Sequence, residues 1–198
     1  MTAQSRDILV FEQRPFELMS VQGTGLFDPR QEGLVPQWVS TGCYRGFDCV
    51  YRIDEKLLLL EAFSIGLKPL DRLKVKYGKG KVLRGQQPHL KEDAFLAVYE
   101  QLGWHVPFTG GLVVARDFIP GLASRSESVV SRVLSPIWMF SVVHELHFVE
   151  GQWTESFDCS SAMDALRHRI AAEPDGDEHE IHRFLANTFR RSYRGLEW

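Results

Sequence analysis

The chain has 198 residues, a hydrophobic share of 44% and a charged share of 25%, the proportions of a globular protein with enough apolar material for one core. Its 23 Lys and Arg stand against 26 Asp and Glu, a net charge of -3, which disfavours nucleic acid as partner. The four-residue runs Ile8 to Phe11 and Leu57 to Leu60 are too short for an export signal or a membrane span, and Cys43, Cys49 and Cys159 are an odd number of thiols. A soluble, cytoplasmic protein with no membrane segment is expected, folded as a single domain over residues 1–198.

Asp7 to Met19, broken by Pro15, reads as one or two edge strands. Val21 to Pro36 carries Gly23, Gly25, Pro29 and Gly33 and reads as a long loop. Phe47, Cys49, Tyr51 and Ile53 alternate with Asp48, Val50 and Arg52 before Asp54-Glu55-Lys56, so Phe47 to Ile65 reads as a hairpin. Its return strand Leu57 to Leu60 is apolar on both faces, the mark of a central strand. Leu73 to Leu83 is expected to form a second hairpin around Gly78-Lys79-Gly80, with a basic tip.

Lys91 to Leu102 carries Ala94, Phe95, Val98 and Leu102 at helical spacing, with Gly103 as a stop. Thr109 to Ile119 reads as a buried strand entered through Gly110-Gly111, and Gly121 to Ser131 as a serine-rich connection. A third hairpin joins Phe140 to Phe148 with Trp153 to Phe157 through a turn at Glu150-Gly151. Ser160 to Ala172 and Asp177 to about Ser192 are helical, the second aligning Ile181, Phe184, Leu185 and Phe189, with Glu173-Pro174-Asp175-Gly176 as the break. The expected fold is therefore α+β: an antiparallel sheet built from hairpins, helices packed on it, and a helical C-terminal tail.

Chemistry-bearing residues are few. His144-Glu145-Leu146-His147 places its histidines three apart, not the four of the zinc-protease helix, and on a strand they face opposite ways, so no shared metal is expected. His179 and His182 share the polar opening of a helix, where solvation is the ordinary explanation. Cys43 has only Arg45 nearby to activate a thiolate, and Cys49 alternates with Phe47 and Tyr51 as a core residue. Gly23-Thr24-Gly25 lacks the third glycine of a dinucleotide loop, and the serine-rich stretch holds no GxSxG elbow, so no cofactor is implied. Lys74, Lys76, Lys79, Lys81 and Arg84 either meet an anionic surface on a partner or protect an edge strand from aggregation.

Cys43-Tyr44-Arg45-Gly46-Phe47 and the run from Pro107 to Ile119 resemble segments of an uncharacterised family of bacterial proteins of unknown function. The resemblance implies a bacterial, cytosolic setting and no activity. In both stretches polar residues interrupt apolar strands, which makes Cys43, Tyr44, Arg45, Arg116 and Asp117 the binding candidates. Two readings follow. One is a non-enzymatic binding protein of the immunity or regulatory type, using aromatic anchors against a protein partner. The other is an enzyme or binder of an anionic small molecule, with Arg45, Arg116 and Asp117 lining a pocket.

Overall fold

The computed structural model describes residues 5–91, 96–120, 122, 137–172 and 178–189. Its contacts divide the chain into two interleaved units, Met1–Arg14 with Gly25–Pro107, and Pro15–Thr24 with Phe108–Trp198.

The first unit is a mixed sheet. Strands β1 (Ile8–Phe11), β3 (Phe47–Asp54), β4 (Leu57–Gly66), β6 (Leu96–Tyr99) and β5 (His89–Leu90) lie side by side in that order, and β7 (Trp104–His105) also pairs with β4. The hairpin of β3 and β4 forms in the register Phe47↔Ile65 to Asp54↔Leu57. Its turn works because Glu55 and Lys56 both take positive φ, 45° and 68°. Tyr51, Leu58, Leu60, Phe63, Ile65 and Tyr99 are buried, and Phe63 stacks on Tyr99 with ring centroids 4.7 Å apart. Leu57 is exposed, so the leucine run has one buried face rather than two.

The second unit holds β2 (Arg14–Thr24), β8 (Thr109–Phe118), β9 (Phe140–Val149) and β10 (Gln152–Asp158), all antiparallel neighbours. Gly23 opposes Gly110 where β2 and β8 approach too closely for a Cβ on either residue. Two helices, α2 (Ser160–Ala172) and α3 (Glu178–Thr188), carry Met163, Leu166 and Leu185 into a core with Val113, Trp138 and Val143. Phe189 joins that core, while Ile181 and Phe184 are only partly buried against it. Arg167 ties α2 down by donating to the carbonyls of Trp138 and Phe140 at 3.0 and 2.9 Å.

These strands correct the expected fold class. The described chain holds far more strand than helix, and its strands are mixed rather than all antiparallel, because β1 runs parallel to β3 in the register Ile8↔Val50 to Val10↔Arg52. A parallel pair needs a long connection, and everything from Glu12 to Gly46 supplies it. The hairpin expected at Leu73 to Leu83 is instead a helix, α1 (Pro69–Lys76), followed by a loop. Pro69 starts that helix with a preset φ, and Asp71, Lys74 and Lys76 match its dipole. The helix expected over Lys91 to Leu102 is replaced by β6, whose Ala97, Val98 and Tyr99 are buried in succession as a two-sided strand requires. The loop expected from Val21 begins only after Thr24 and contains a short 3-10 turn, Pro29–Glu32, capped by Asp28 and Gly33. Ala94 and Phe95, the connection Gly121 to Ser131 apart from Leu122, the break Glu173 to Gly176, and the tail from Arg190 lie outside the described residues.

Candidate functional site

Among the described residues, the outer face of α1 is an exposed apolar stripe. Leu70, Leu73 and Tyr77 fall at i, i+3 and i+7, one helical stripe, and are 74%, 49% and 66% exposed. The same helix turns Val75 inward, 5% exposed. A Cβ on Gly80 would collide with the side chains of Val75 and Pro88, so glycine allows the following loop to close under the helix. Val75 occupies the inner face, and the outer stripe lies outside the buried core.

That stripe lines a concavity of about 740 Å³. Gln37, Lys68, Pro69, Asp71, Lys74 and Lys79 complete its wall. Gln37 is fixed by backbone packing. Its N–H donates to the Gly66 carbonyl at 2.9 Å, and its own carbonyl fills the space that a Cβ on Gly46 or Gly66 would take. Val35 and Trp38, on either side of Gln37 and Pro36 in the chain, are 59% and 62% exposed. Asp71 pairs with Lys74 at 2.7 Å, whereas Lys68 and Lys79 have no acidic partner among the described residues.

The basic cluster from Lys74 to Arg84 thus has several roles rather than one. Lys74 and Lys76 close α1, Lys79 faces the concavity, Lys81 donates to the Glu32 carbonyl, and Arg84 stacks on the Trp104 ring at 4.2 Å. The segment forms no long edge strand, so protection of such an edge does not explain it.

The residues singled out from sequence are placed as follows. Arg45 makes a bidentate bond to Asp7, one arm at 3.0 Å, and donates through Nε to the Phe47 carbonyl at 2.6 Å. Asp7 also accepts the Cys49 N–H at 2.6 Å, so the pair anchors the start of β1 to β3. Burial pushes the Cys49 thiol and the Tyr51 hydroxyl well above their ordinary values, with the Asp7 charge adding to both. Asp48 is also raised, first by burial and then by Asp7. Cys43 is buried, its thiol donating to the Phe47 carbonyl at 3.6 Å, and Tyr44 is 64% exposed. In the second unit Arg116 pairs with Asp117 at 2.8 Å and lies over the Phe16 ring at 5.4 Å. Arg45 belongs to one unit and Arg116 with Asp117 to the other, each guanidinium already engaged by a carboxylate.

His144 and His147 take opposite faces of β9. His144 meets the edge of Phe16, while His147 meets Phe157 and shares a hydrogen bond of 2.7 Å with Glu145. Glu145 is wholly buried, and Glu155 stands 3.9 Å from the other ring nitrogen of His147. Among the described residues no three His, Cys, Asp or Glu side chains are grouped as metal ligands. The Cys159 thiol is pushed up to about 11, first by burial and then by the Glu145 and Asp158 charges, so it is protonated at neutral pH.

The α1 stripe and the Glu145–His147 pair went unread in the sequence, although alternation along Val143, Glu145 and His147 marks a shared inward face. The stripe was hidden because Val75, Tyr77 and Val82 imitate strand alternation once Pro69 and Leu70 are left out.

Compared with protein-family models, curated proteins and solved structures, the chain matches none. No helix among the described residues is long and apolar enough to cross a membrane.

Proposed function

We propose that this chain is a non-enzymatic binding protein of the immunity or regulatory type, which docks a protein partner on the outer face of α1. The observation that carries this reading is the exposed stripe Leu70, Leu73 and Tyr77 lining one concavity. Isolated exposed apolar residues are ordinary, but three on one helical face lining a common concavity make a patch of the kind that marks interaction sites. Tyrosine and tryptophan are also favoured anchors at protein interfaces. Three unpaired, buried cysteines support a reducing compartment such as the cytosol.

The test is site-specific photo-crosslinking in cells, with the reactive residue at position 77 and, as control, at Leu57 on the β3–β4 hairpin. The expected result is one discrete adduct from position 77 alone, whose purified partner binds the wild type and not Leu73→Glu. Equal labelling from both positions, or none from position 77, overturns the reading.

A further inference from the structure

Resting on the docking reading above, we infer that the segment bound by the α1 face is acidic and carries at least two large apolar side chains. The argument begins with charge. The wall of the concavity holds Lys68, Lys74 and Lys79 against a single acid, Asp71, and Lys74 already satisfies that acid at 2.7 Å. Lys76 adds a further cation in the last turn of the helix. The site is therefore locally positive on a chain of net charge -3, so its sign does not follow from the protein as a whole. A positive wall steers and orients an acidic partner and rejects a basic one.

The apolar stripe sets the second requirement. From Leu70 to Tyr77 the helix rises by about 10 Å, at roughly 1.5 Å per residue. An occupant covering both ends needs apolar groups spaced about as far apart, two turns of a helix or three to four residues of an extended strand. A lone phosphate or small carboxylate meets the lysines but leaves Leu70 and Tyr77 in water. A peptide segment with acids beside paired apolar anchors meets both demands at once, which is why it is preferred to a small anion.

Selection of random dodecapeptides displayed on phage, against the immobilised full chain, tests this directly. Enriched peptides are resynthesised and titrated by fluorescence anisotropy at two salt concentrations. The expected consensus has net negative charge and two or more large apolar residues. Its affinity should fall at least about tenfold with Leu73→Glu or Leu70→Glu, as for loss of an interface anchor. Lys68→Glu with Lys79→Glu, and higher salt, should also weaken it. Both leucines are substantially exposed, and an unchanged thermal melt verifies that each variant folds.

Peptides that need Leu73 but carry no acidic excess and ignore the lysine changes overturn this inference and leave the docking reading standing. Failure to enrich any Leu73-dependent peptide overturns both. Leu73-dependent binding to phosphatidylserine vesicles, without peptide binding, reassigns the face to a membrane surface and also overturns both.

Discussion

Gln37 donates its N–H to the Gly66 carbonyl at 2.9 Å, while its own carbonyl stands where a side chain on Gly66 would have to go. One backbone contact therefore both closes the first unit and sets a wall of the α1 concavity. Gly66→Ala should destabilise the protein by about 1–3 kcal/mol, the usual cost of forcing a methyl into filled space. The urea midpoint measures it, and an unchanged midpoint would mean that the Gln37 segment moves aside freely.

Glu145 and His147 supply a second prediction. Glu145 is completely buried and bonded to a nearly buried ring, so removing it leaves the imidazole without its principal carboxylate partner. Glu145→Ala should cost about 3 kcal/mol or more at neutral pH, because an unpaired buried polar group retains its desolvation penalty. Glu145→Gln, which keeps shape and hydrogen bonding, should cost clearly less. Equal losses in chemical denaturation would assign the role to side-chain volume alone.

The α3 helix separates buried from half-buried positions on one stripe. Leu185 is fully buried, whereas Phe184 is partly exposed beside the same core. Leu185→Ala should lower stability by about 2–5 kcal/mol and Phe184→Ala by less, despite the larger ring removed. The reverse order in thermal melts would show that Phe184 is the anchor.

Two titrations should bracket stability. Ser160, through its hydroxyl and its N–H, the latter at 2.9 Å, holds the Asp158 carboxyl below its usual range. The folded state thus gains from ionised Asp158 above the unfolded value near 4, and that gain is lost as pH falls through the lower folded value. Asp158→Asn should flatten the acid limb of a stability curve. At the alkaline end the Cys159 thiol ionises near 9 in the unfolded chain and near 11 when folded, so stability should fall as pH rises between them. Cys159→Ala should remove that part of the alkaline slope, and native Cys159 should resist iodoacetamide at pH 8 until urea is added.

The parts legible in sequence were those decided locally. The β3–β4 and β9–β10 hairpins could be read because a short turn rich in Glu, Lys or Gly sits between alternating runs. The β1–β3 pairing could not, because nothing in Ile8 to Phe11 records that its partner lies beyond Gly46 and runs in the same direction. Asp7 shows the same limit at the level of a side chain. It is an ordinary acid in the sequence and becomes a buried anchor only when Arg45 and Cys49 fold over it. Arg45 was singled out, but its carboxylate partner was not, since the two stand far apart in the chain.

The interleaving of the two units has a consequence for biosynthesis. Strand β2 leaves the ribosome early, yet Glu17 pairs with Ala115 and Leu18 with Val114. At about 5–20 residues per second, translation leaves β2 waiting on the order of 5–20 s for the strand it must join. During that interval the backbone edge of β2 that β8 will pair has no β8 to join. Slowing translation between Pro107 and Phe118 should therefore raise the aggregated fraction more than slowing it after Asp158, when β8 has already been made.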